Sequence, residues 1–152
     1  MQPLLPLEPE RVLVTGSRDL ADPVLLSNEL FAEVRAILYE RAAMTMTRGT
    51  LDEMLAAARR HVAFVLGDCP SGADRLALGW CEAHGFAHAR LEVDYRDGDE
   101  KCHRRNQNMV DLGGRPTRFV AFWDAPGSPP DGTFDMVRRC VRAKVPGRIV
   151  PV

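Results

Sequence analysis

The chain has 152 residues, of which 45% are hydrophobic and 27% are charged, a composition typical of one globular domain with a single substantial core. Its formal net charge of −1 gives no bulk attraction to nucleic acid or anionic lipid, although this balance does not exclude a local basic patch. No apolar run approaches the ~20 residues that a membrane-spanning helix needs, so no membrane contact is expected.

The first ten residues, M-Q-P-L-L-P-L-E-P-E, are expected to form a disordered lead-in, because they contain several prolines and lack the basic segment of a signal peptide. The four cysteines include no C-x-x-C pair, and free thiols in a reducing cytoplasm are therefore expected. Cys102 and His103, together with His84 and His88, lack the ligand spacing of a structural zinc site. We therefore predict no metal.

Strand and helix patterns alternate from residue 11 to residue 152, which we predict to be a single domain. Strands are predicted at residues 11–15, 62–66, 86–93, 118–123 and 148–152. Helices are predicted at residues 24–41 and 50–60, between Ser71 and Gly85, and at residues 104–112 and 133–143. This alternation predicts an α/β fold: a three-layer, Rossmann-like, doubly wound parallel sheet of about five strands in the order 3-2-1-4-5.

The segment from Val62 to Cys81 is the most informative part of the chain, because a buried strand runs through a glycine turn into a helix. A helix that starts at the end of a parallel strand points its free N–H groups and positive dipole end at the crevice where ligands bind. Gly67 and Gly72 allow a ligand to approach the backbone closely. Ser71 is predicted to cap the helix, with Asp74 as the partner in a shortened capping box.

Two other turns follow predicted strands at the same edge of the sheet. Gly16, Ser17 and Arg18 come after the first strand and offer a tight turn, a hydroxyl group and a guanidinium suited to phosphate. Gly132 and Thr133 open the last helix after the fourth strand and offer amides and a hydroxyl group. Each turn alone is a weak signal, since glycine turns are common in α/β proteins that bind nothing there.

The order of these motifs is more specific than any one of them. G-S-R, G-D-C-P-S-G-A-D-R-L-A, R-N-Q-N-M-V-D, F-W and G-T-F-D-M-V follow one another along the chain. This order resembles the SLOG superfamily, and within it the YspA/cpYpsA-related group of small Rossmann-like proteins, over nearly the whole chain. The resemblance implies a ligand derived from a nucleotide, similar to ADP-ribose or NAD, bound across the strand ends. Function varies among relatives, which include phosphoribohydrolases, a DNA-uptake protein and nucleotide sensors.

One departure from the hydrolase pattern bears on catalysis. The corresponding stretch of the hydrolases resembles P-G-G-x-G-T-x-x-E, and its glutamate takes part in catalysis. In this chain Met136 stands at the position of that glutamate. Asp135 lies one residue earlier, and a step of one residue on a helix rotates a side chain by about 100°. The missing carboxylate argues against hydrolysis, because a carboxylate is the natural group to stabilise an oxocarbenium-like ribosyl centre.

The predicted site collects the residues of these turns together with the polar start of the fourth helix. Its ligand-binding residues are Gly16, Ser17, Arg18, Gly67, Asp68, Ser71, Gly72, Asp74, Arg105, Asn106, Trp123, Gly132 and Thr133. If the protein is an enzyme, Asp74 or Asp135 supplies the catalytic carboxylate.

Structural alternatives stand beside several of these assignments. Arg18 alternatively pairs with Asp19 or Asp22 at the surface, and Asp74 is either a helix cap or an acceptor for ribose hydroxyls. Trp123 either stacks on a base or belongs to the core. Two further predictions concern residues outside the site: Trp80 packs in the core, and Arg138, Arg139 and Arg142 form a solvated helix face.

The function predicted from the sequence is binding of a nucleotide-derived ligand, as a sensor or carrier module without turnover and with no certain cofactor. The first alternative is an enzyme that hydrolyses an N-glycosidic or nucleotide bond. The second is single-stranded DNA binding, which the acidic pI and the few aromatic residues disfavour, since such proteins combine basic grooves with stacking platforms. The sequence leaves a homo-oligomer open.

Overall fold

The computed structural model describes residues 8–41, 50–111, 115–123 and 132–152. The strands of this part of the chain are β1 (Glu10–Gly16), β2 (Val62–Leu66), β3 (His88–Arg90), β4 (Arg118–Trp123) and β5 (Gly147–Pro151). The helices are α1 (Pro23–Glu40), α2 (Leu51–His61), α3 (Gly72–His84), α4 (Lys101–Asp111) and α5 (Gly132–Arg142). Most of the lead-in, residues 1–7, lies outside the described residues, and β1 begins one residue earlier than predicted.

The five strands form one parallel sheet in the order β3-β2-β1-β4-β5, which confirms the predicted fold class and strand order. β1 lies at the centre, between β2 and β4. Since the order reverses next to β1, the switch point of the fold lies there. In such sheets ligands bind beyond the carboxyl ends of the strands at the switch point.

Helices cover both faces of the sheet, and each face has its own core. On one face Val12, Val14 and Phe64 pack with buried residues of α1, α2 and α3. On the other face Leu13 and Val65 pack with buried residues of α4 and α5. Because successive strand residues point to opposite faces, this arrangement explains why the central strands β1, β2 and β4 carry buried apolar residues on both faces.

Trp80 confirms its predicted place in the core on the α1 face. It is 6% exposed, and its ring stacks on Phe86 with centroids 5.1 Å apart. Its indole N–H donates to the Ser27 hydroxyl at 3.2 Å, so the buried donor has a partner.

Local sequence signals explain where two of the helices begin. The Asp22 carboxylate accepts the Leu25 N–H at 3.0 Å at the start of α1, and Pro23 occupies the first turn. The Thr50 hydroxyl accepts the Glu53 N–H at 3.2 Å at the start of α2. None of the described helices combines the length and apolarity that a membrane span requires.

The segment between α3 and α4 differs most from prediction. β3 has only three residues instead of eight, because the Asp68 carboxylate accepts the Val93 N–H at 2.9 Å in place of a strand partner. A 3₁₀ helix, Tyr95–Glu100, follows, and α4 begins three residues before its predicted start. The predicted glycine stop of α4, at residues 113–114, lies outside the described residues.

Candidate functional site

The turn after β1 contacts both neighbouring strand ends. The Ser17 N–H donates to the Phe122 carbonyl at 2.8 Å, and the Ser17 carbonyl accepts the Ala73 N–H at 3.1 Å. Gly72 has a φ of +70°, and a Cβ there would lie 2.2 Å from the Ser17 carbonyl oxygen, so only glycine allows this contact. The ends of β1, β2 and β4 therefore meet at one edge of the sheet, as predicted.

A cavity of about 660 Å³ opens at this edge. It lies between the turn after β1, the start of α3, and the first turns of α4 and α5. Its lining residues are Thr15, Gly16, Ser17, Arg18, Asp19, Cys69, Asp74, Cys102, His103, Arg105, Asn106, Gly132, Thr133, Phe134, Asp135 and Arg138.

Nine residues of the predicted site line this cavity, and five do not. Gly67, Asp68, Ser71, Gly72 and Trp123 lie around it without lining it. Sequence reasoning missed seven lining residues: Thr15, Asp19, Cys69, Cys102, His103, Phe134 and Arg138. The first three flank predicted turns in the sequence, and Cys102 and His103 belong to the unpredicted first turn of α4. Arg138 lies three and four residues after Asp135 and Phe134, a spacing that places all three on one side of a helix.

Asp74 lies at the start of α3, but the predicted cap is wrong, because the Ser71 side chain makes no capping hydrogen bond. The Asp74 carboxylate instead accepts the Cys69 N–H at 3.1 Å and lies 3.9 Å from Arg105 Nη1. A Cβ at Gly67 would lie 2.5 Å from the Asp74 carboxylate, so Gly67 makes room for this group. Burial raises the pKa of Asp74 above its usual range, against the opposing effects of the Cys69 N–H and Arg105.

Arg105 lines the cavity but is held by carboxylates. Its Nη1 atom lies 2.5 Å from Asp68 Oδ1, and its Nε donates to the Asn106 side chain at 3.1 Å. Asp68 is therefore a partner of Arg105 and of the Val93 backbone, which explains why it does not line the cavity. This pair connects α4 to the loop that precedes α3.

Asp135 lines the cavity, whereas Met136 is fully buried in the core beneath α5. Asp135, one of the two candidate catalytic residues, therefore faces the cavity. The sheet buries the Met136 side of α5, and this rotation of the helix leaves Asp135 facing the cavity. Met136 belongs to the same buried cluster as Leu13 and Val65, so the position of the hydrolase glutamate is part of the core in this chain.

Two groups hold the Asp135 carboxylate from adjacent elements. Its Oδ2 atom accepts from the Asn106 amide at 2.9 Å and from Arg139 Nε at 2.8 Å. Burial alone would raise the pKa of Asp135, but these hydrogen bonds outweigh it and lower the pKa below the usual range. Arg139, predicted to be solvated, is thus a half-buried partner of Asp135, while Arg142 is exposed as predicted.

Arg18 is exposed on the cavity wall and makes neither a hydrogen bond nor an ion pair with any residue in the described ranges. Its predicted alternative partner Asp22 caps α1 instead. The hydroxyl groups of Thr15 and Thr133 also line the cavity, and neither makes a hydrogen bond within the described part of the chain, although the two residues are only 8% and 5% exposed.

Trp123 belongs to the buried set, which supports the structural alternative for this residue. It is 6% exposed, and its indole N–H has no hydrogen-bond partner. Its ring contacts Phe134 with centroids 5.9 Å apart, and Phe134 rather than Trp123 reaches the cavity.

The fold and the cavity define a Rossmann-like α/β protein with a polar cleft at its switch point. Within the described ranges, no group of three or more His, Cys, Asp or Glu side chains is arranged to hold a metal ion. Comparisons with protein-family models, with curated proteins and with solved structures found no match for this chain.

Proposed function

We propose that this chain is a SLOG-type protein that binds a phosphate-bearing, nucleotide-derived ligand in the cavity. The observation that carries the proposal is Arg18, whose guanidinium makes no hydrogen bond or close ion pair with a carboxylate among the described residues and acts on Asp74 only at longer range. A guanidinium presents N–H donors in a fixed geometry that matches phosphate oxygens. The start of α3, joined to this turn through Ala73 and Ser17, adds the positive end of a helix dipole.

The size and chemistry of the cavity suit such a ligand. Its volume of about 660 Å³ falls within the range of about 300–1,000 Å³ that is usual for small-molecule sites. Asp74 offers a carboxylate to ribose hydroxyls, and the Thr15 and Thr133 hydroxyls offer hydrogen bonds that no described residue uses. Four free cysteines agree with a reducing compartment, and we place the protein in the cytoplasm.

The first test is a thermal-shift panel of AMP, NAD, ADP-ribose and cyclic dinucleotides on the purified protein. A ligand at 100 times its Kd stabilises the folded state by about 2.7 kcal/mol, which raises Tm measurably. We expect at least one member of the panel to raise Tm. If none does, the proposal is contradicted.

Arg18→Ala tests the residue that carries the proposal. We expect calorimetry to show a loss of about 1.5–3 kcal/mol in binding free energy, because a charge-assisted contact to phosphate is removed. Arg35→Ala is the matched control, since Arg35 is also exposed but lies on α1 away from the cavity. Equal affinities of the two variants would count against the proposal.

A second candidate function is hydrolysis of an N-glycosidic bond, favoured by the two carboxylates that line the cavity. Their environments shift their pKa values in opposite directions, a pattern typical of an acid and base pair. Asp135, held ionised by Arg139 and Asn106, would stabilise a positive ribosyl centre or activate water. Asp74, whose pKa is raised, would give its proton to the departing base.

Product analysis distinguishes binding from hydrolysis. Binding without turnover predicts that AMP, NAD and ADP-ribose stay intact over hours with the wild-type protein. Release of ribose 5-phosphate from AMP, lost in Asp135→Asn or Asp74→Asn while AMP affinity is retained, would establish the second candidate.

A further inference from the structure

On the α5 wall of the cavity a guanidinium lies over an aromatic ring. Phe134 is half-buried and lines the cavity, and the guanidinium carbon of Arg138 lies 5.9 Å from the centroid of its ring. The two residues are four apart on α5, so the helix holds them on one face. Both groups are planar, and a guanidinium at this distance is attracted to an aromatic face.

Arg138 is held much more loosely than its neighbour Arg139. Arg138 Nη2 lies 3.8 Å from Asp135 Oδ1 and its side chain is half exposed, whereas Arg139 Nε bonds the same carboxylate at 2.8 Å. Asp135 therefore has a close cationic partner without Arg138. The Arg138 guanidinium remains free to move against a ligand at little cost.

Trp123, the aromatic residue predicted for the site, does not line the cavity. Trp123 is buried and packs behind Phe134 at a ring angle of 55°. This contact supports the Phe134 ring from the side of the sheet. The Phe134 ring thus contacts Trp123 on the side of the sheet and lies under the Arg138 guanidinium.

We infer that Phe134 and Arg138 form a stacking platform for the base of the ligand, an inference that rests on the proposed function. Nucleobases stack on aromatic side chains and on guanidinium planes, and such stacking tolerates different bases because every base has a π face. Arg18 takes the phosphate and the α5 wall takes the base. The ligand class narrows accordingly to nucleoside phosphates, as opposed to sugar phosphates or inorganic phosphate.

Calorimetry with AMP and ribose 5-phosphate tests this division, because the two probes share the phosphate and the ribose but differ in the base. We expect the wild-type protein to bind AMP more tightly by about 5- to 150-fold, the usual contribution of one stacked base. In Phe134→Leu we expect AMP affinity to fall to near that of ribose 5-phosphate, whose own affinity stays unchanged. Arg138→Ala should lower AMP affinity in the same selective way but by a smaller factor.

Phe31→Leu is the matched control, since Phe31 is a half-buried phenylalanine that contacts Trp80 and His84 away from the cavity. It should change neither affinity, and the Tm of each free variant shows that it is folded. Equal wild-type affinities for the two probes, or an equal loss of both in Phe134→Leu, would overturn the platform while leaving phosphate binding intact. Binding of neither probe would overturn the proposed function and the platform with it.

Discussion

The two ends of the sheet contain the same kinds of charged residues but use them differently. At the amino ends of the strands, Arg118 bonds Glu10, Glu33 and Glu40 at 3.0, 3.2 and 2.7 Å. Arg148 extends this network to Glu33 and Glu29 at 2.9 and 2.6 Å. At the carboxyl ends, Arg18 makes no hydrogen bond or close ion pair in the described ranges, and the ion pair of Arg138 with Asp135 is 3.8 Å long.

The pKa values reflect the same difference. Burial acts against the charged forms of Glu10 and Arg118, but their hydrogen bonds outweigh it: those from Arg118 and Thr117 lower the pKa of Glu10, and those to Glu40, Glu10 and Glu33 raise the pKa of Arg118. For Asp74 in the cavity, burial dominates and the pKa is raised. Charges at the amino ends are thus satisfied by folding, whereas the cavity retains groups that folding does not satisfy. A bound ligand can supply hydrogen-bond or ionic partners to such groups.

The largest effect is expected from breaking the satisfied network. Arg118→Ala removes the cation that bridges Glu10, Glu33 and Glu40, of which Glu33 is buried, and we expect a loss of about 3 kcal/mol in the free energy of unfolding. Urea denaturation measures it. Arg18→Ala, the same change at the cavity, should alter stability by less than about 0.5 kcal/mol. A similar loss in both variants would break the comparison.

A pair of threonines sharpens the comparison without changing charge. The Thr117 hydroxyl accepts the Arg11 N–H at 3.0 Å at the amino ends, whereas the Thr15 hydroxyl has no partner in the described ranges. Thr117→Val should cost about 1 kcal/mol of stability, because it leaves a backbone donor unpaired. Thr15→Val should leave stability unchanged or raise it. Thermal unfolding of the two variants checks this, and destabilisation by Thr15→Val would show that its hydroxyl already has a structural role.

The smallest effect concerns the dependence of stability on pH. Because the pKa of Asp74 is raised in the folded state, protonation of Asp74 favours folding. This contribution to stability is fully present below about pH 3.8 and is lost as the pH rises through the folded-state pKa. Asp74→Asn removes that loss and should stabilise the free protein at pH 7 by about 0.5 kcal/mol.

Glu10→Gln should act in the opposite direction. Because the pKa of Glu10 is lowered in the folded state, its ionised form contributes stability above about pH 4.5, and this contribution is lost as the pH falls through the folded-state pKa. The variant should therefore be less stable than the wild type at pH 7 and equally stable in acid. Denaturant titrations from pH 3 to pH 7 compare the two variants. The same sign at pH 7 for both would contradict the account.

The sheet was predictable because strand and helix patterns alternate with distinct periods, and the order of the strands follows from right-handed crossovers. Turns that follow buried strands, such as residues 16–18, were predictable for the same reason. The orientation of α5 was not, since it depends on which side of the helix the sheet buries. The offset of Asp135 from the motif position could not show which of the two residues the sheet buries, whereas the structure buries Met136 in the core and places Asp135 at the cavity.

The partners of the cavity arginines were equally beyond sequence reasoning. Arg105 and Asp68 are 37 residues apart, and only the tertiary fold brings them together. Arg138 and Arg139 are adjacent and look equivalent in the sequence. Arg139 bonds Asp135 closely, whereas Arg138 lies over Phe134. The difference follows from the rotation of about 100° between successive residues of a helix.

The central claim is that Arg18 and the turn after β1, at the carboxyl ends of the strands, bind the phosphate of a ligand. The most direct measurement is a crystal structure of the protein with AMP. The account predicts phosphate oxygens within hydrogen-bond distance of the Arg18 guanidinium and of the turn after β1. AMP bound elsewhere, or bound in the cavity with its phosphate away from Arg18, would contradict the account.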